Sequence, residues 1–519
     1  MLYRAAPKPV ADIAKDLGAT YVLEGSVRRE GDQVRLTLQL IDAQSDDHIW
    51  SQNYDRKLVS AMTLQSEVAG EVASQLSVQI APQIKVAGPP TQDAEAYDLF
   101  LKARLASGRL IATNPVEQYQ EVEDLLTHAI ARDPNFALAY VERFNLHLLL
   151  FILNYDASET RLKLARADLE AAKRLAGNDA SVLAAESEFA AFGERDYDRA
   201  LALFAEARRR GLADPNLLQR GASLLNLIGR HDEALALYAR LVPLDPGNNF
   251  LLITWVLDLV AAHQPEEAAR VIVLERARLA QIQSAGGDFG TGQLVKYWFA
   301  GQSDSASADA LLRSPINIDN DAVLAFGSYL RNQGRYREIT ARLDKLNTNS
   351  IRITLLGNLP ALGIGRIPIA DLRGWADLLL GDQDAAARDG RAVNVFVGQQ
   401  EAAEWNAWYL RLLAADAQLF SGDRAGAVNA AHEALAMKAR SPDLYDRTLV
   451  KYLAAQVLAW SRAEDEAMDL LEELGQPTSA LAPALIARDP VFTVPLANNA
   501  RFQALKANLE AQMAATRLE

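Results

Sequence analysis

Residues able to do chemistry are plentiful in this chain but poorly gathered. His432-Glu433-Ala434-Leu435-Ala436 opens like a helical zinc-binding pattern, in which two histidines four residues apart share one face. Ala436 stands where the second histidine belongs, and one imidazole cannot hold the metal. The six histidines (His48, His128, His147, His231, His263, His432) show no paired ligand spacing. There is no cysteine, which removes disulfides, thiolate metal sites and thiol nucleophiles. Gly286-Gly287-Asp288-Phe289-Gly290-Thr291-Gly292 is rich in glycine, yet a phosphate-cradling loop needs a strand before it and Gly-Lys-Ser/Thr at its end. Here Gln293-Leu294 follows. Gly363-Ile364-Gly365-Arg366 is no better, and no Gly-x-Ser-x-Gly elbow occurs. Carboxylate pairs abound without a spacing that selects any of them. Trp405, Trp408, Tyr409 and Leu412 fall on one helical stripe and read as core. These residues predict no catalysis, no metal and no cofactor.

Bulk properties narrow the class further. A chain of 519 residues exceeds what one core can organise, about 250–300 residues, so several domains or a repeat array must be present. With 50% hydrophobic and 23% charged residues it has the composition of a folded protein. The net charge of -14 argues against a nucleic-acid partner, which needs a concentrated cationic face. The tight basic cluster Arg208-Arg209-Arg210, before Gly211, reads as a helix C-terminus, where cations oppose the free carbonyls. The N-terminus has no apolar signal region. The apolar stretches 146–153 and 250–262 fall short of the roughly 20 residues that span a bilayer. The chain as written therefore carries no membrane segment and reads as cytoplasmic.

The elements that would position side chains divide near residue 90. Residues 11–17 suggest a short helix ending at Gly18, and Thr20 to Arg29 a strand. Val34, Leu36, Leu38 and Leu40 then alternate with Arg35, Thr37 and Gln39, the pattern of an antiparallel strand covered on one face. A third strand runs from His48 to Tyr54. Leu64, Val68, Val72 and Leu76 form a helical stripe suited to cover the sheet. Proline and glycine in the segment 80–90 make it a linker. The wording of residues 17–29, with Gln39-Leu40-Ile41-Asp42-Ala43 and Trp50-Ser51-Gln52-Asn53-Tyr54-Asp55-Arg56, resembles the TolB-like N-terminal domain of bacterial proteins. That resemblance covers roughly residues 9–80 and marks a fold without catalytic groups. It implies an apolar strand and helix upstream of Tyr3. It also implies an upstream signalling domain, often an adenylate cyclase or a winged-helix DNA-binding domain, sometimes behind a membrane segment that would place the chain in the periplasm.

Beyond the linker, alanine and leucine recur at helical spacing. Asp198-Arg199-Ala200-Leu201-Ala202-Leu203-Phe204 returns as Asp232-Glu233-Ala234-Leu235-Ala236-Leu237-Tyr238, 34 residues later, and a further 34 lands on Ala268. This period is that of the tetratricopeptide repeat, a helix–turn–helix unit in which the small alanine lets two antiparallel helices approach. Gly334, Gly381 and Gly422 read as turns inside later helix pairs, with irregular stretches around 280–292 and 348–368. The expected architecture is mainly α: a small α/β domain over 1–88, an α-α superhelix of tetratricopeptide type over 91–475, and a capping segment over 476–519. In such a superhelix the first helix of each pair lines a concave surface. Gln219, Ser223 and Asn226 share one face of such a helix and are the candidate residues for binding a partner's backbone. The sequence thus reads as a non-catalytic scaffold for a protein or peptide partner, or as the regulatory half of a larger signalling protein.

Overall fold

The computed structural model describes residues 19–30, 33–43, 47–57, 90–113, 116–177, 179–210, 215–242, 249–279, 298–299, 301–302, 330–352, 355–356, 359–360, 364–438 and 440–516, with a few isolated positions near the N-terminus. The stripe Leu64 to Leu76, most of the linker and the glycine-rich segment Gly286 to Gly292 lie outside them.

Three strands, β1 (Tyr21–Glu30), β2 (Gln33–Asp42) and β3 (His48–Lys57), form an antiparallel meander in the order β1-β2-β3. The alternation in β2 sets its register. Leu36, Leu38 and Leu40 stand opposite Tyr54, Gln52 and Trp50, so one face gathers Leu38 and Tyr54 with Leu36 and Trp50 beside them. The other face carries Arg35 with Asp55 and Thr37 with Asn53.

The remainder is mainly helical, built as antiparallel pairs. The first is α1 (Ala94–Thr113) with α2 (Val116–Arg132), then α3 (Ala137–Ile152) with α4 (Glu159–Ala176). Next come α5 (Ala180–Glu188), extended by a π-helical turn at Phe189–Gly193, with α6 (Tyr197–Arg209), and α7 (Pro215–Leu227) with α8 (His231–Leu241). α9 (Asn249–Ala261) pairs with α10 (Pro265–Leu279). After α11 (Tyr336–Leu343) the C-terminal pairs are α12 (Ile369–Leu380) with α13 (Gln383–Gly398), α14 (Ala407–Phe420) with α15 (Arg424–Lys438), and α16 (Leu444–Trp460) with α17 (Glu464–Leu474). First helices also touch the first helix of the next pair, as α3 does α5, α7 does α9, α12 does α14 and α14 does α16. That second contact turns separate hairpins into a stack.

Two local features of the sequence recur in these pairs. In seven of them the turn between the helices passes through a left-handed residue: Asn154, Arg195, Gly229, His263, Gly381, Gly422 and Arg462, the third and fourth following at intervals of 34. In several of these turns an aspartate follows and caps the next helix, as Asp196 accepts from the Arg199 amide and Asp382 from that of Ala385. The pair interface is then set by alanine. Ala200, Ala234, Ala268, Ala386, Ala427 and Ala467 are all fully buried.

The stretch 348–368, irregular by sequence, folds as nested hairpins. β4 (Ser350–Arg352) pairs with β7 (Arg366–Pro368), and β5 (Leu355–Leu356) with β6 (Leu359–Pro360). Ile351, Leu359 and Ile367 are buried in the main core. The C-terminal segment ends in short turns at Ala484–Ala487 and Pro490–Thr493, then α18 (Ala500–Ala515), which buries Phe502, Leu505, Leu509 and Met513 against the last pair.

Helix α13 supplies a matched test of this packing. A methyl group on Gly390 would lie 2.7 Å from the Ala417 carbonyl oxygen on α14, whereas one on Gly398 would meet open space. Gly390→Ala is therefore expected to lower stability by about 1–3 kcal/mol, because backbone must move. Gly398→Ala should be neutral or slightly stabilising. Urea midpoints for the two variants, compared with the parent chain, check the contrast.

Candidate functional site

Helix α7 carries the residues singled out by sequence, and the structure brings all three together. The face they share is turned inward rather than toward an open groove. Gln219 and Asn226 are buried, with 4% and 1% exposure, and Ser223 is half-buried. Gln219 Nε2 donates to Thr254 Oγ1 on α9 at 3.0 Å, and Ser223 Oγ lies 3.3 Å from the Tyr238 hydroxyl on α8. Asn226 is the hub. Its amide nitrogen meets Asp258 Oδ1 on α9 at 2.5 Å and the Tyr445 hydroxyl on α16, while its oxygen faces His231 Nδ1. A polar side chain on a buried helix face must find partners inside the protein, and these do.

Tyr445 shows what covers this face of α7. Helix α16 follows α7 by more than 200 residues yet packs against it, and α16 is buried around nearly its whole circumference. Its first turn is anchored by Asp443, which caps the helix through the amides of Tyr445 and Asp446 at 2.8 and 3.0 Å. The other carboxylate oxygen of Asp443 accepts from Arg195 Nη1 at 2.9 Å and from the Tyr197 hydroxyl at 2.6 Å, across 248 and 246 positions of sequence. The hairpin insertion joins the same closure. Arg352 Nη1 donates to the Leu153 carbonyl at 3.1 Å, its guanidinium lies 4.0 Å from the centre of the Tyr155 ring, and the Gly365 amide donates to Asn154 Oδ1 at 2.8 Å. The polar face of α7 is thus met by α16, and the turns at Asn154 and Arg195 are held by later segments of the chain. The expectation of an open concave surface lined by Gln219, Ser223 and Asn226 is corrected on this point: their polar groups are consumed by closure.

Burial shapes the titration of the node. It pushes Asp258 up to about 7, against the hydrogen bonds from Tyr238 and Asn226, and it pushes His263 down to about 4, with His231 adding to the effect. Asp443 is raised by burial and by Asp446, with Arg195 opposing. Next to this face on α7, Arg220 pairs with Glu188, whose carboxyl is raised by burial. Gly221 lies so close to Phe204 that no side chain fits between them.

The remaining sequence candidates take structural places. Arg209 and Arg210 turn back onto Glu206 at the end of α6. Trp408, Tyr409 and Leu412 are core, and Trp408 donates to the Trp405 carbonyl at 3.0 Å. His432 is exposed and meets Glu466 one repeat further on. Among the described residues no three His, Asp or Glu side chains converge as a metal site, and no helix is long and apolar enough to cross a membrane. Sequence reasoning missed Arg195, Tyr197, Asp443 and Glu188. Ser441-Pro442-Asp443 does carry a helix-start pattern, but nothing local marks a partner 248 residues away.

Comparison with known proteins gives limited likeness. No family model matches the chain. It is 29% identical over 158 residues to a Rhizobium meliloti protein named "Putative adenylate cyclase 3"; the match takes in 30% of this chain and 26% of that protein, so the chain spans about a quarter of that relative's length. Among solved structures, a tetratricopeptide repeat protein from Parabacteroides merdae aligns over 70% of this chain and all of its own, with 9% identity and a TM-score of 0.24. The P58(IPK) TPR domain aligns over 81% of this chain and all of its own, with 12% identity and a TM-score of 0.19. The helix-pair architecture rests on the contacts within this chain itself.

Removing the closing carboxylate tests the node. Asp443→Ala strips Arg195 and Tyr197 of their shared acceptor and leaves a guanidinium without that partner inside the protein, an expected loss of about 3–5 kcal/mol. Arg230→Ala, which removes an exposed pair with Glu233, should cost under about 1 kcal/mol. Equal effects of the two in urea titrations would mean that the closure contributes little.

Proposed function

We propose that this chain is a non-catalytic interaction module that holds a protein or peptide partner on its helical-repeat surface. The observation that carries the reading is the run of stacked helix pairs, in which first helices also touch the first helix of the next pair. What remains for a partner is the outward side of the second helices. Those surfaces carry scattered exposed apolar side chains, Leu164 and Leu175 on α4, Val395 on α13 and Met437 on α15, among charged neighbours. Isolated exposed apolar residues are common on any protein, so the support lies in the continuous surface rather than in any one of them. The acidic balance of the chain favours a protein partner over a nucleic acid.

A second reading is favoured by the match to the cyclase-named relative: the chain is the regulatory half of a larger bacterial signalling protein whose output domain lies elsewhere. Both readings predict that purified chain makes no cyclic AMP from ATP, and turnover above a heat-killed control would overturn the non-catalytic assignment. Chemical cross-linking with mass spectrometry in the native host separates surfaces. Cross-links to a partner are expected on α4, α13 and α15. Val395→Glu with Met437→Glu should weaken partner recovery at least tenfold while leaving the urea midpoint unchanged.

A further inference from the structure

Helices α5, α6 and α7 meet around a small cavity. Ser187, Glu188, Ala191, Phe192, Phe204 and Arg220 are among the residues that line it, and of these six all but the half-buried Arg220 are buried. The polar part of the wall lies where α5 passes into the π-helical turn. Ser187 and Glu188 end the α-helix, and Ala191 and Phe192 belong to the turn. A π-helical turn is rare in proteins and occurs most often beside functional sites.

Ser187 and Glu188 have acceptors to offer and no spare donor. Ser187 donates its hydroxyl proton to the Ala200 carbonyl at 2.7 Å, which leaves the lone pairs of its oxygen. Glu188 is 7% exposed. Its Oε2 accepts from Arg220 Nη1, which also donates to Asn145 Oδ1 at 3.2 Å. Its Oε1 is buried with no hydrogen-bond partner among the described residues. Burial raises the Glu188 carboxyl and the Arg220 guanidinium opposes the rise, so a second donor on Oε1 would act in the same direction as Arg220. Glu186, two residues earlier, shows a carboxylate of this stack supplied in that way: its Oε1 takes both Lys173 at 2.9 Å and Arg199 at 2.6 Å. The cavity has room for about one water molecule.

We propose that this cavity binds one small hydrogen-bond donor, of the size of a water molecule or an ammonium ion, on the free oxygen of Glu188 with the Ser187 hydroxyl as second acceptor. Size and chemistry set the class together. The space excludes anything much larger, and the two acceptors call for a molecule with at least two N–H or O–H bonds. Ammonium would give Glu188 a second cation, as Glu186 already has; water would satisfy the oxygen without adding charge. Either occupant would brace the junction of two helix pairs, since Ser187 reaches Ala200 on α6 and Glu188 reaches Arg220 on α7.

High-resolution crystal structures and urea titrations of the whole chain, each in ammonium chloride and in sodium chloride of equal strength, test this. The parent chain should show one density peak in the cavity, roughly 2.7–3.2 Å from Glu188 Oε1. Glu188→Gln distinguishes the two occupants. Arg220 needs an acceptor and so turns the amide nitrogen of the glutamine to the place of Oε1. Water can accept from that nitrogen, whereas ammonium has no lone pair and is shut out. If ammonium is the occupant, the urea midpoint of the parent rises in the ammonium salt and the rise is lost in Glu188→Gln. If water is the occupant, the two salts give one midpoint and the peak persists in the variant. Ser187→Ala, which removes the second acceptor, should weaken the peak and any ammonium-dependent rise, and it serves if Glu188→Gln does not fold. A parent cavity without a peak in either salt sinks the proposal whatever the midpoints do.

Discussion

Everything in the helical part of this protein depends on how closely two antiparallel helices can approach at one small residue. Ala200, Ala234 and Ala268, and later Ala386, Ala427 and Ala467, have no accessible surface because the partner helix lies directly over them. With a larger side chain at these points the pair would open, the first helices would lose register, and the stack would not propagate. Gly374 and Gly390 serve the same purpose between α12, α13 and α14, where even a methyl group collides with Phe420 or with the Ala417 carbonyl.

Stacking by itself makes an open ribbon. Closure comes from groups that the ribbon brings back after long excursions of chain. Asp443 does two jobs with its two oxygens, capping α16 with one and receiving Arg195 and Tyr197 with the other. The nested hairpins around residue 360 fill the space that remains and tie to the turn at Asn154. One continuous core results, running from Val141 on α3 to Met513 on α18. Opening the interior would expose that core to water.

Several acids are buried in the interior. Asp258, Asp371, Asp416 and Glu188 are all raised by burial. Asp258 is held by the Asn226 amide, and Glu188 by Arg220. Polar groups of this kind restrict how helices can slide past one another, since a shifted register would leave them unpaired.

The sequence by itself determined the parts that are local in origin. The alternation of Val34 to Leu40 dictates a one-faced strand, the 34-residue return of alanine dictates paired helices, and Gly381 and Gly422 mark turns because a left-handed backbone favours glycine. The same turn conformation at Arg195, His263 and Arg462 carried no such mark, since nothing in those residue types demands it. Only the tertiary structure decided which way α7 faces. Gln219, Ser223 and Asn226 were legible as a shared polar face, but a polar face looks the same in sequence whether it meets solvent or a buried partner. The deciding partner, Tyr445, is 219 positions away. Helical periodicity encodes which residues lie side by side on one helix. It does not encode which distant helix will pack against that face, as α16 does against α7 through Tyr445.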